Sequence, residues 1–268
     1  MTQLKNGDIR KTLRERYGTI AESGRSECCE PSESLCCGKI KPETKDALLG
    51  MGYSATDMDN VPENAIMGLG CGNPKAIASL KPGETVLDLG CGGGFDCFLA
   101  AREVGETGRI IGIDMTPEMV SKARENTEIA GFRNTEFRLG EIEYLPIGDS
   151  VIDVIISNCV INLSPEKAKV FKEAFRVLKP GGRLAISDVI KYAEFPESFK
   201  YDILLLTHCI VGALTIKEIE TMLKDVGFEK IKIEPRDESR DFIRGWIPGK
   251  KIEDYIVSAT IEAIKPAE

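Results

Sequence analysis

The sequence predicts an α/β protein built on a parallel sheet covered by helices on both faces. Two observations carry this. From residue 84 onward, short apolar runs of strand length alternate with longer runs of helical periodicity, and the strands are apolar on both sides, as buried parallel strands are. A glycine-rich turn, Gly90-Cys91-Gly92-Gly93-Gly94, also follows the first of those strands and opens the first of those helices. The composition agrees: 268 residues, 42% hydrophobic and 29% charged, are ordinary for a globular protein that buries a sizeable core.

The elements follow in order. Ile9, Leu13, Tyr17 and Ile20 share one helical face, which gives a short amphipathic helix over residues 8–20. Residues 21–41 are rich in Ser, Glu and Gly and read as a flexible loop. Residues 42–80 hold short helical pieces, the last begun by Asn73 as N-cap with Pro74 after it and running to about Leu80. Strands are expected at Thr85–Leu89, Arg109–Asp114, Thr135–Leu139, Ile152–Ser157 and Arg183–Ser187. Helices are expected at Phe95–Val104, Pro117–Ala130 and Pro165–Leu178. A helical insertion then runs to about Ala213. A helix at Ile216–Val226 and strands at Glu229–Glu234 and Tyr255–Ile264 follow, the two strands joined by a polar loop.

The longest apolar run, Ile203 to Ile216, is too short to span a bilayer and is expected to be a buried core helix. The first eighteen residues lack the apolar stretch of a secretory signal, so a cytoplasmic location is expected. A net charge of −8 argues against duplex nucleic acid or an anionic membrane as partner. A single histidine, His208, excludes metal sites built mostly from imidazole.

Nine cysteines are the unusual feature of the composition. In a reducing compartment an odd number points to thiol chemistry, metal binding or plain burial rather than a disulfide framework. They fall into three groups. Cys91 and Cys97, in the glycine turn and its helix, read as small fillers of tight space. Cys28, Cys29, Cys36 and Cys37 form two vicinal pairs in the loop, a poor spacing for zinc but suited to delivery or redox relay. Cys71 lies in a Gly-Cys-Gly turn, Cys159 just past the fourth strand, and Cys209 in the insertion after the fifth. Ligands bind at the carboxyl ends of strands in open α/β sheets, so these three thiols can converge there. Burial of all three as core is the alternative.

The glycine turn and Asp114, at the end of the next strand, suit a nucleoside cofactor whose ribose hydroxyls a carboxylate accepts. A dinucleotide fingerprint would need glycine at position 95, where Phe95 stands. The observed Asp88-Leu89-Gly90-Cys91-Gly92-Gly93-Gly94 resembles the S-adenosylmethionine-dependent methyltransferases of class I, as do Asp114-Met115, Gly140-Glu141-Ile142 and Leu178-Lys179-Pro180-Gly181-Gly182-Arg183. That resemblance implies a Rossmann-like seven-stranded sheet with its last strand antiparallel. It implies an N-terminal extension at 1–73, a cofactor-binding core at 74–190 and, at 191–268, an insertion with the closing helix–strand–strand unit. It also implies that Asp88, Gly90, Gly92 and Gly94 line the methionine portion, that Asp114 binds the ribose, and that Met115 and Ile142 pack on adenine near Glu141. Asn158 and Asn162 are candidates for the amino acid end of the cofactor or for support of Cys159.

Within that class, Gly68-Leu69-Gly70-Cys71-Gly72-Asn73-Pro74, Ser157-Asn158-Cys159-Val160-Ile161-Asn162-Leu163 and the late Cys209 resemble the arsenite methyltransferases. Tyr17-Gly18, the cysteine loop and Trp246-Ile247-Pro248-Gly249-Lys250 do so too. This implies that As(III) is held by Cys71, Cys159 and Cys209. A fourth working cysteine is implied in the loop: Cys37 or Cys36, with Cys28 and Cys29 as the other candidates. The implied partners are arsenite and methylated arsenicals as substrates and thioredoxin or glutathione as reductant, with a monomeric enzyme serving arsenic detoxification. A methyltransferase of the quinone-biosynthesis type and a non-catalytic thiol-rich binder of metalloid or zinc are the alternatives. His208 is expected to be an ordinary helix residue, and Trp246 either covers the site or anchors its loop.

Overall fold

The computed structural model describes residues 6–23, 42–199, 202–247 and 249–267. Cys28, Cys29, Cys36, Cys37 and Pro248, named above, lie outside the described residues.

Helix α1 (Asn6–Ser23) is followed by three short helices, α2 (Pro42–Met51), α3 (Ala55–Asp59) and α4 (Pro74–Ala78). Asn73 caps α4 through its side chain, which accepts from the Ala76 N–H, and Pro74 takes the first helical position. The α/β core then runs β1 (Thr85–Leu89), α5 (Phe95–Val104), β2 (Arg109–Asp114), α6 (Pro117–Ala130), β3 (Thr135–Leu139), β4 (Ile152–Asn158), α7 (Lys167–Val177) and β5 (Leu178–Lys191). Helices α8 (Ile203–Thr207) and α9 (Ile216–Val226), strand β6 (Glu229–Arg236), helix α10 (Arg240–Ile243) and strand β7 (Ile256–Ile264) complete it.

The seven strands form one sheet in the order β3-β2-β1-β4-β5-β7-β6, with β7 antiparallel to both β5 and β6. Successive residues of β1 face opposite sides. Leu87 and Leu89 pack with Phe171 of α7 and Leu223 of α9, whereas Val86 packs with Phe98 and Ala101 of α5. The chain moves outward from β1 to β3, then returns to place β4 on the other side of β1. That reversal opens a crevice at the carboxyl ends of β1 and β4.

Three expectations change. Strand β5 begins at Leu178 rather than Arg183, because Leu178 already pairs with Ile152 and Gly181 donates to the Lys265 carbonyl. Helix α7 therefore ends at Val177. The apolar run Ile203–Ile216 is no single core helix: α8 stops at Thr207, Cys209 takes a left-handed conformation (φ 63°), and Leu214 bridges to Ile190 before α9. Gly212 shows why, since a Cβ there would lie 2.0 Å from the Asn162 carbonyl oxygen. The backbone must pass that close to the loop after β4, which a continuous helix could not do. Finally, the loop between β6 and β7 is only partly polar and packs Ile243, Ile247 and Ile252 into the core. Among the described residues no helix is long and apolar enough to cross a membrane.

Candidate functional site

Strand β1 delivers Asp88 and the glycine turn to the crevice. Gly90 and Cys91 both donate to the Ile113 carbonyl of β2, at 2.8 and 3.0 Å, which folds the turn over the sheet edge. Gly90 stands at φ 71°, and a Cβ there would lie 2.5 Å from the Val160 side chain. Only glycine lets the two loops approach this closely. Asp114 is held by its neighbours: one carboxylate oxygen accepts from Gly92 N–H at 3.0 Å, the other from Thr116 N–H at 2.9 Å. One cavity is lined by Gly90, Cys91, Gly92 and Gly93 of this turn, by Asp88, Asp96, Asp114, Met115 and Ile142, by Asn158, Cys159, Cys209 and Trp246, and by Leu13, Tyr17 and Ile20 of α1.

Four carboxylates line this cavity, Asp88, Asp96, Asp114 and Glu143, the last of them paired with Arg10. Burial pushes Asp88 well above the usual carboxylate range, with the charge of Asp96 adding to it. Burial also lifts Asp96 to about 6, against hydrogen bonds from the Tyr53 hydroxyl (2.6 Å) and the Asn158 amide (3.2 Å). Asp114 is raised by burial, opposed by its backbone donors. Burying a carboxylate without a full cationic partner is costly, so the cavity favours a ligand that brings positive charge. S-Adenosylmethionine, with its sulfonium and ammonium, fits that demand. A dinucleotide, with its diphosphate, does not.

The three thiols converge beside the cavity. Sγ of Cys71, Sγ of Cys159 and a carboxylate oxygen of Asp188 all lie within 4.8 Å of one another. Cys209 Sγ lies 2.8 Å from the Cys159 carbonyl oxygen, and its single S–H is shared between that oxygen and the Cys159 sulfur. Cys159 has φ 57°, so both it and Cys209 are non-glycine residues in left-handed conformations. Hydrogen bonding from the Cys209 thiol, then from Cys71, holds Cys159 well below the ordinary thiol range. Cys209 is pushed up first by that same bond, and Cys71 first by burial. The cluster thus stabilises a thiolate at Cys159 with two thiols beside it. Asp188 is raised by burial and by that thiolate; Asn162 donates to it through its side-chain amide at 2.8 Å and its backbone N–H at 3.3 Å.

The structure brings together Asp88, Gly90, Gly92, Asp114, Met115, Ile142, Asn158, Cys159 and Cys209 as lining of one cavity. Three expected site residues stand elsewhere. Gly94 faces the core, where a Cβ would lie 2.8 Å from the Phe98 ring. Glu141 turns outward to Arg10 and Arg14, and Glu143 takes the cavity wall. Cys71 lies behind the lining, fully buried, and meets Cys159 from below. Asn162 supports Asp188 rather than the cavity. His208 ends α8 with Nε2 3.1 Å from an Arg16 nitrogen, and burial lowers its pKa. Cys97 is a buried filler that also donates to Asp88, at 3.2 Å, while Cys91 borders the cavity.

Asp96, Asp188 and Tyr53 escaped sequence reasoning. Asp96 had a signal, a carboxylate in the first turn of the helix that follows the glycines. Asp188 had none beyond its place near the end of a strand.

A family profile described as a methyltransferase domain matches residues 80–227. The chain is 51% identical to an arsenite methyltransferase of Halobacterium salinarum, over 97% of this chain and 67% of that protein. It is 33% identical to the arsenite methyltransferase of Homo sapiens, over 99% of this chain and 70% of that one. The crystal structure of an arsenic (III) S-adenosylmethionine methyltransferase from Chlamydomonas reinhardtii matches at 34% identity with a TM-score of 0.61, covering 85% of this chain and 75% of that chain. The chain spans about two thirds of the length of the curated relatives it matches. With the sheet order, the glycine turn and the thiol cluster, these matches establish that the chain belongs to the arsenite methyltransferase family of class I S-adenosylmethionine-dependent methyltransferases.

Proposed function

We propose that this protein methylates trivalent arsenic, arsenite first and then methylarsenite, in a reducing cytoplasmic compartment as a step in arsenic detoxification. The observation that carries the reading is the meeting of Cys71, Cys159 and Cys209 at the edge of a cavity that suits a cationic cofactor. Soft trivalent arsenic prefers thiolate sulfur. Each As–S bond forms as a sulfur replaces a hydroxyl that leaves as water, the proton coming from the entering thiol or, for the Cys159 thiolate, from solvent. The Cys159 thiolate is the first attacking group, because its neighbours keep it ionised.

When bound, S-adenosylmethionine supplies an electrophilic methyl group on a sulfonium that leaves as a neutral thioether. Asp114 orients the ribose, and Asp88 and Asp96 balance the positive charge. Arsenic held by three sulfurs keeps a lone pair as its nucleophile and has no proton to lose, so no general base is required. The enzyme's contribution is positioning. The transfer raises arsenic to the pentavalent state. Two cysteine sulfurs joining as a disulfide return two electrons to it, and thioredoxin or glutathione restores the thiols by exchange. Cys71 and one cysteine of the loop, Cys37 or a neighbour, take that part.

The test is speciation of arsenic by mass spectrometry after incubation with arsenite, S-adenosylmethionine and thioredoxin or glutathione. Methylated arsenicals are expected, and Cys159→Ser and Cys209→Ser should abolish them while cofactor binding persists. Full activity in both variants would sink the thiol-site reading.

A further inference from the structure

We propose that Asn158 is a positioning residue that sets where Cys71 stands in the thiol cluster, acting through the peptide groups of the Gly70-Cys71-Gly72 turn with Ser258 as its counterpart. The proposal rests on the thiols being the arsenic site. Asn158 is a candidate for the amino acid end of the cofactor or for support of Cys159, and both ends of its amide are committed to groups of the protein. Its Oδ1 accepts from the Cys71 N–H at 2.9 Å. Its Nδ2 donates one N–H to the Gly72 carbonyl at 2.8 Å and shares the other between the Tyr53 hydroxyl at 2.9 Å and Asp96 at 3.2 Å. From the other side, Ser258 of β7 donates its hydroxyl to the Cys71 carbonyl at 2.6 Å, and its own N–H donates to the Ser239 hydroxyl at 2.9 Å.

These side chains replace secondary structure. Cys71 is fully buried in a turn outside any strand or helix, so its peptide groups need partners. The flanking positions offer no other handle. A Cβ at Gly70, which stands at φ 129°, would lie 2.8 Å from the Asn158 amide, and one at Gly72 would lie 2.9 Å from Ser187. The amide accepts from Cys71 N–H through its oxygen and donates to Gly72 C=O through its nitrogen at the same time. A carboxylate at 158 could not donate and would stand against Asp96. Asn158 also precedes Cys159 directly, so one dipeptide at the end of β4 carries one sulfur and fixes the place of another.

The test uses the protein without cofactor and two arsenicals. Arsenite has three exchangeable positions and engages all three thiols. Phenylarsine oxide keeps its phenyl group, has two, and is satisfied by Cys159 and Cys209. Binding is read from the fluorescence of Trp246, which lines the same cavity, and checked by equilibrium dialysis. Asn158→Ala and Asn158→Asp should weaken arsenite by about tenfold or more, as loss of a buried hydrogen-bond partner does, with Asp the worse. Phenylarsine oxide should bind both variants nearly as the wild type. Ser258→Ala should shift arsenite in the same direction, by less. Adding Cys71→Ser to Asn158→Ala should cost little more arsenite affinity. Unchanged arsenite affinity with weakened cofactor binding would overturn the proposal and make Asn158 a cofactor contact. Equal loss of both arsenicals would overturn it as well. A wild-type protein that takes up neither arsenical overturns the arsenic reading itself, and so differs from failure of this proposal alone.

Discussion

Cys159 and Cys209 both hold left-handed backbone conformations, which cost a non-glycine residue about 1–3 kcal/mol each. The surroundings impose them: Cys159 N–H is taken by the Ser187 carbonyl at 2.8 Å, and the Cys209 thiol lies against the Cys159 carbonyl oxygen. Asp96 shows the same tension in electrostatic form. Its pKa is raised by burial to about 6, so the fold favours its neutral form. That favour is full at low pH and is lost as pH rises from the unfolded carboxylate range through about 6. A cationic cofactor gains over the same window, since it needs the carboxylate ionised. Cofactor affinity, measured by calorimetry, should therefore fall as pH drops through about 6, and Asp96→Asn should weaken binding at neutral pH and flatten that dependence. An unaltered profile in the variant would remove Asp96 from the cofactor site.

At the scale of elements, helix α1 closes one wall of the cavity through Leu13, Tyr17 and Ile20. It is clasped on two sides. Arg10 meets Glu143 at 3.0 Å and Glu166 at 2.7 Å, while the Tyr17 hydroxyl donates to the Thr207 carbonyl. Arg10→Ala should loosen the helix, speed cofactor dissociation in stopped-flow measurements and lower the melting temperature, because Glu143 is buried and, among the described residues, keeps only Ser164 as a hydrogen-bond partner. The amphipathic pattern made α1 legible, but its role as a wall depends on partners more than a hundred residues away. The broken run Ile203–Ile216 is the opposite case. Its hydrophobicity predicts one buried helix, whereas Leu205, Cys209, Ile210 and Ala213 are buried, Leu204 is exposed, and the helix breaks because close backbone approach at Gly212 is a tertiary demand. Gly212→Ala should cost about 1–3 kcal/mol of stability by overpacking. It should also weaken arsenite binding through displacement of Cys209, with the response to cofactor preserved.

For the whole molecule, the reversal of strand order between β1 and β4 sets the cofactor turn and Cys159 side by side, and β7 brings Ser258 against Cys71. On the proposed function, cofactor and arsenic each stabilise the fold through adjoining sites. Cofactor at about 100 times its dissociation constant adds about 2.7 kcal/mol. For a chain of this size that raises the melting temperature by roughly 5–10 °C. Arsenite should add its own shift. A Cys159→Ser/Cys209→Ser double variant should lose the arsenite shift and keep the cofactor shift, whereas loss of both would mean that the two sites are not separable.

The sequence by itself determined the alternation of strands and helices and the glycine turn with Asp88 and Asp114, and it named Cys71, Cys159 and Cys209 as thiols able to converge at the strand ends. These are local signals: hydrophobic period, turn chemistry, and residue types at strand ends. Tertiary structure alone decided that Gly94 and Glu141 turn away, that Cys71 is buried behind the lining, and that Asp96 and Asp188 join the site. It alone bound Cys71 to Asn158 and Ser258, 87 and 187 residues along the chain. The reason is physical. A carboxylate or an amide acquires its function from burial and from the partners that satisfy it, and partners so distant in sequence leave no periodicity to read.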